Sequence, residues 1–211
     1  MNVELIALTR YLRDDGSPEV LIEYAGRVCY RSAGHGDPGG FIRARLRDGH
    51  ESILEHASAT FEISGISRAC SHQLVRHRIA SYSQESQRYV DADDLAVVMP
   101  AAIAENPAAR AAWEGLMAEV AATYRELREL GVRKEDARFV LPNAAETRLV
   151  LTMNFRSLRH FFRLRLTPRA QWEIRELATR MLELLVPHAP HVFGDVWDAA
   201  REEFPEFLAQ Q

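Results

Sequence analysis

The chain has 211 residues, of which 47% are hydrophobic and 27% charged, enough for one sizeable core with little left for a second, so a single domain over 1–211 is expected. A net charge of −4 without a basic stripe argues against a nucleic-acid-binding protein, and apolar runs such as Leu149 to Met153 fall far short of a membrane-spanning helix. No basic leader precedes the first apolar stretch, and Cys29 and Cys70 lack zinc-type spacing, so a reducing, cytoplasmic location is expected, with neither a disulfide nor a metal.

Val3, Leu5 and Ala7 alternate with polar neighbours in an edge-like strand ending near Thr9. Ser17 and Pro18 open a helix, as N-cap and first-turn proline, that runs to about Tyr30. Arg31 to Gly40 reads as loop, followed by a short helix from Phe41 to Asp48 closed by Gly49. Ala57, Ala59, Phe61 and Ile63 alternate with Ser58, Thr60, Glu62 and Ser64, the pattern of a half-buried antiparallel strand. A helix from Ile66 to about His77 and a polar segment to Arg88 come next.

The longest helix opens at Asn106 and Pro107 and closes at Gly131, with Trp113, Leu116, Met117, Val120, Tyr124 and Leu127 forming a stripe of core or subunit interface. Leu149, Leu151 and Met153 mark a strand, and Ser157 to Leu166 a helix. Trp172 to Leu185 forms a last long helix, stopped by Pro187. Long helices with a small, mainly antiparallel sheet and no βαβ alternation define an α+β class.

Some motifs carry no weight. Gly34, Gly36 and Gly39 spell GxGxxG, but they follow a helix instead of a strand and enclose Pro38. His50/His56 and His188/His191 lack the i, i+4 spacing of a helical metal site. No serine-hydrolase elbow occurs. Cys29 and Cys70 read as small buried packing residues.

One segment stands apart. Between Arg76 and Tyr89 the chain reads RHRIASYSQESQRY, which sets Arg76, His77, Arg78 and Arg88 with serine hydroxyls and glutamine amides against one acid, Glu85. Such a donor-rich run suits an anion, arginine offering a planar fork for phosphate or carboxylate. On a helix Arg76 and Arg78 would point roughly 200° apart, whereas in an extended segment they share a face with His77 opposite. The bland alternative is that the triplet complements the C-terminal dipole of the helix before it.

The spacing Arg76-His77-Arg78, seven residues, Ser86 resembles the signature of the flavin-dependent thymidylate synthase family. Gly49 to His56 (GHESILEH), Arg138 to Pro142 (RFVLP) and Asn154 to Arg165 (NFRSLRHFFRLR) are similar to other recurrent stretches of that family, in the same order. The resemblance implies the family's α+β fold, a homotetramer whose active sites draw on several subunits, and reductive methylation of dUMP to dTMP. FAD would be the redox cofactor, 5,10-methylenetetrahydrofolate the carbon donor and NADPH the reductant.

Carried over residue by residue, the resemblance implies dUMP contacts at Gln73, Leu74, Val75, Arg76, Gln84, Glu85, Ser86, Gln87, Arg88, Arg138 and Arg165. It implies FAD contacts at Ser52, Arg76, His77, Arg78, Gln84, Asn154, Phe155, Arg156 and His160, with His50 near the flavin or folate. Arg165 is the match for the catalytic residue that stabilises the anionic uracil ring. Ser52 replaces a frequent Thr, Gln84 a frequent Glu and His160 a common Asn, each retaining hydrogen-bonding ability. Two further readings stand beside this one: a thiol-dependent enzyme, which needs a reactive cysteine, and a nucleotide-binding regulatory module that has lost turnover.

Overall fold

The computed structural model describes residues 1–13, 16–29, 31–33, 37–89 and 95–204. Four strands, β1 (Asn2–Leu8), β2 (Ser58–Ser67), β3 (Ser81–Gln84) and β4 (Glu146–Asn154), hydrogen-bond in the order β1-β2-β4-β3, which leaves β1 at an edge. The amide of Thr9 donates to Ser58 O, Phe155 to Ala57 O and Arg68 to Ala145 O, so β2 runs antiparallel to both neighbours. The helices are α1 (Pro18–Val28), α2 (Pro38–Arg47), α3 (Arg68–Leu74), α4 (Ala101–Ala104), α5 (Pro107–Glu129), α6 (Lys134–Ala137), α7 (Phe155–Arg165), α8 (Trp172–Leu185) and α9 (Pro190–Glu203). The fold is α+β. Among the described residues no helix is long and apolar enough to cross a membrane.

The chain groups into two compact units. One comprises Met1, Ser64–Leu74 and Ser83–Leu149; the other comprises Asn2–Ile63, Val75–Tyr82 and Val150–Gln211.

In the second unit α1 packs on α2 and on a 3₁₀ turn, Glu51–His56, while α7 packs on that turn, on α8 and on α9. The apolar side of α7 is Phe155, Leu158, Phe161 and Phe162, all fully buried. Phe155 and Phe193 meet edge to face at 5.0 Å, and Phe162 and Phe193 at 5.9 Å. Each such ring removed from water contributes about 1.5–3 kcal/mol, so this wall holds α7 rigidly and turns its polar side outward. Arg159 is the exception on the buried side: its guanidinium donates to Val192 O and, at 2.6 and 2.7 Å, to both carboxylate oxygens of Asp195 on α9. Burial alone pushes the Asp195 carboxyl up, but the Arg159 bonds outweigh it and hold the group below its ordinary value.

In the first unit α5 is capped by Asn106, whose Oδ1 accepts from the amides of Ala108 and Ala109. Tyr124 is the one fully buried residue of this 23-residue helix among its described side chains. Leu116 is 54% exposed and Trp113, Met117, Val120 and Leu127 are half-buried, so the apolar stripe is only partly covered.

Several elements differ from the sequence-based expectation. The helix expected from Phe41 begins at Pro38, with Asp37 Oδ1 capping the amide of Gly40 at 2.8 Å. Gly39 lies in that helix, and Gly34 and Gly36 lie outside the described residues. Strand β2 claims Ile66 and Ser67, so the following helix is only Arg68–Leu74, and the polar segment contains β3. Helix α9 was not expected at all. Cys70 is buried, but Cys29 is exposed because α1 ends at Val28 and leaves it on the C-cap.

Candidate active site

Within the second unit a cleft of about 880 Å³ opens on the polar side of α7. Its wall is a helical ladder: Arg156, His160 and Arg163 fall at i, i+4 and i+7, with Arg165 at the helix end. Asn154 starts the ladder as N-cap, its Oδ1 accepting from Ser157 N at 2.8 Å.

The segment after α3 also lines the cleft. Residues 75–80 are neither helix nor strand, and Arg76, His77 and Arg78 all line the same cleft. The expected separation of His77 from its two arginines is therefore not seen. A segment that is neither helix nor strand lets three successive side chains reach one cleft.

His77 is the best-held of them. Its Nε2 accepts from Nε–H of Arg165 at 3.0 Å, its ring meets Phe161 edge-on at 4.9 Å, and its carbonyl accepts from the Tyr82 hydroxyl at 2.9 Å. Accepting at Nε2 places the ring proton on Nδ1. Burial, aided by the charges of Arg165 and His160, lowers the imidazole to about 4, so it is neutral near pH 7. Burial likewise pushes the Tyr82 hydroxyl up to about 12, so it remains a donor.

Two acids that sequence reasoning did not single out complete the cleft. Glu55 accepts from Arg156 at 2.5 Å and Glu51 from Arg163 at 2.9 Å. Both acids stand in the GHESILEH stretch, four residues apart, which was the available signal. Ser52 and His50 are exposed and do not line the cleft, and Val75 is exposed at the start of the turn. The Phe155 side chain is buried against Phe193 and its amide donates to Ala57 O, so it positions α7 from beneath.

The remaining candidates lie in the first unit. The Gln84 amide donates to Ser71 Oγ at 3.0 Å and Thr147 Oγ1 at 3.1 Å, which directs its carbonyl oxygen away from both. Ser86 Oγ accepts from the amide of Arg88 at 3.3 Å, Glu85 N–H donates to Arg148 O, and Gln87 is half-buried. Arg88 pairs with Glu135 at 3.3 Å, and Arg138 Nε donates to Glu135 O at 3.0 Å. Gln73 is half-buried and Leu74 fully buried on α3. Burial and the nearby Arg138 charge lower the Arg68 guanidinium, a mark of crowded positive charge. Among the described residues no three His, Cys, Asp or Glu side chains are placed to hold a metal ion.

Residues 8–191 match the family described as Thymidylate synthase complementing protein. The chain is 50% identical over 201 residues to the flavin-dependent thymidylate synthase of Geobacter sulfurreducens, covering 90% of this chain and 85% of that protein. It is 46% identical over 214 residues to the flavin-dependent thymidylate synthase of Nitratidesulfovibrio vulgaris, covering 91% of this chain and 85% of that protein. The crystal structure of Thymidylate Synthase X from Helicobacter pylori with FAD and dUMP aligns with a TM-score of 0.76 at 25% identity, over 93% of this chain and 99% of that one. An arginine-lined cleft, a matching profile over most of the length and relatives at up to half identity lead to one conclusion: the chain belongs to the flavin-dependent thymidylate synthase family.

Proposed function

We propose that the chain converts dUMP to dTMP as a single-domain FAD enzyme, with 5,10-methylenetetrahydrofolate as carbon donor and NADPH as reductant. The observation that carries the reading is the cleft in which Arg76, Arg78, Arg156 and Arg165 converge around a neutral His77. Its volume suits a large cofactor, and its forked cations suit a pyrophosphate, so the residues present fit FAD. Arg76, His77, Arg78, Asn154, Arg156 and His160 would hold the cofactor, with Ser52, Gln84 and Phe155 as the family's further positions and His50 beside the flavin or folate. When bound, FAD supplies the redox chemistry that no side chain here provides.

The chain's own residues position and polarise. Gln73, Leu74, Val75, Arg76, Gln84 to Arg88 and Arg138 would take dUMP, the cations and hydroxyls meeting its phosphate. Arg165 is the proposed catalytic residue: a guanidinium facing N3 and the adjacent carbonyls stabilises the anionic ring and makes C5 nucleophilic. His77 fixes the direction of that guanidinium, and Tyr82 fixes His77. Neither cysteine enters this scheme.

The incompletely covered α5 stripe supports the further proposal of a homotetramer, since a second copy can bury what its own unit does not. The proposed location is the cytoplasm. The absorption spectrum and turnover of dUMP with FAD, methylenetetrahydrofolate and NADPH test the central reading: a folded sample that binds no flavin overturns it. FAD binding without turnover would favour the regulatory module.

A further inference from the structure

One cleft arginine has no part in the scheme above. Arg163 sits on the exposed face of α7 beside His160, its side chain half-exposed, with Glu51 as its counter-ion at 2.9 Å. Resting on the proposed function, we infer that Arg163 binds an oxyanion carried by a co-substrate other than dUMP or FAD, and that Glu51 occupies its fork until that ligand arrives.

The geometry separates Arg163 from the proposed pyrophosphate site. Seven residues of α-helix set its Cα about 10 Å along the axis from that of Arg156. The counter-ions are distinct as well, Glu55 on Arg156 and Glu51 on Arg163, and their backbone positions lie about 8 Å apart along a 3₁₀ turn. Adjacent phosphates of one pyrophosphate are much closer together than that, so the two forks define two anion positions. Charge points the same way: the cleft holds five arginines against two glutamates, with His77 neutral.

An exposed ion pair is weak and easily exchanged, and a ligand phosphate or carboxylate presents the same pair of acceptor oxygens as the Glu51 carboxylate. Asp195, held by Arg159, feels the Arg163 charge only through space, and the ion pair of Arg163 is with Glu51, with the guanidinium side chain half-exposed. The shared chemistry of the ligand is a terminal oxyanion. Two co-substrates can carry it: the 2′-phosphate of NADPH and the glutamate carboxylates of the folate.

The test uses FAD-loaded parent, Arg163→Gln and Glu51→Gln proteins. Binding of 2′,5′-ADP, 5′-AMP and mono- and triglutamyl folate is measured by calorimetry, and KM is measured for NADPH, NADH and both folates. About a tenfold weakening in Arg163→Gln, confined to 2′,5′-ADP and NADPH, supports the inference with the phosphate as source. The same weakening confined to the folates, larger for the triglutamate, supports it with the carboxylates as source. Glu51→Gln should tighten the same ligand, because its competitor has lost its charge. Unchanged binding of all these probes overturns the inference, whatever happens to the melting temperature. So does a loss of FAD in Arg163→Gln equal to that in Arg156→Gln, which would merge the two positions. Failure of the parent itself to hold FAD would strike the proposed function instead, while 2′,5′-ADP and folate binding to the flavin-free parent and Arg163→Gln still decides the role of Arg163.

Discussion

The Nε–H of Arg165 donates to Nε2 of His77 at 3.0 Å across 88 residues of sequence. An imidazole that accepts this bond must be neutral, and burial, with the Arg165 charge beside it, lowers it from 6.5 to about 4. The unfolded chain binds this proton near 6.5, so between 6.5 and about 4 it holds more protons than the folded chain and stability falls as pH falls. The contribution is intact above the upper value and gone below the lower one. For a partly exposed ring it amounts to about 1–2 kcal/mol after screening. Urea midpoints from about pH 7 to about pH 4.5 should therefore fall more steeply for the parent than for His77→Asn. Parallel curves would contradict the buried neutral ring.

Replacing Arg165 by Ala should preserve folding and FAD content and reduce turnover by roughly 100- to 1000-fold, the usual consequence of removing one preorganised electrostatic contact. Lys keeps the charge without the fork, so Arg165→Lys should recover only part of the loss. Near-normal kcat in Arg165→Ala would remove it from the chemistry.

The Arg159 clamp on α9 makes a stability prediction. Arg159→Ala deletes a buried guanidinium and leaves Val192 O and the Asp195 carboxylate without their partner, at a cost of about 3–5 kcal/mol. Asp195→Asn leaves the Arg159 guanidinium, 1% exposed, as an uncompensated buried charge and should likewise cost about 3–5 kcal/mol. Denaturant unfolding of the two variants checks the size of the losses, and a loss below about 1 kcal/mol in both would mean that the pair is not the clamp described.

The cysteines separate cleanly by accessibility. Cys29 is exposed and should react with a thiol reagent in the native protein, whereas Cys70 should react only after unfolding. The double variant Cys29→Ala, Cys70→Ala should lose about 1 kcal/mol, almost all of it from Cys70, and keep turnover within a few-fold of the parent. Abolished turnover in a folded, FAD-loaded double variant would revive the thiol-dependent mechanism.

What could be read in the sequence was what local chemistry determines. Ser17 and Pro18, and Asn106 and Pro107, announce helix starts because cap and proline are adjacent in the chain. Arg76 to Arg78 could be found because the cluster is contiguous, although its convergence depends on a turn that no periodicity encodes. Pairings at a distance stayed hidden. Glu51 meets Arg163 across 112 residues, and Glu19, which caps α9 through the amides of His191 and Val192, acts across 172. Helix α9 was missed for that reason: Ala189 at its N-cap makes no side-chain bond, and the cap comes from the other end of the chain. Strand β3 was missed because four polar residues with alternating exposure look like a loop.

That long-range cap bears on synthesis. Glu19 leaves the ribosome 172 residues ahead of His191, yet the amides it accepts from belong to residues 191 and 192, and its second oxygen also meets Nδ1 of His191 at 2.7 Å. The nascent chain therefore carries a half-made helix junction while those 172 residues are made. The buried carboxylate of Glu19 finds its intended donors only when α9 appears. A ribosome stalled before Pro190 would display α1 accessible to protease, and release of the remaining residues would protect both helices together.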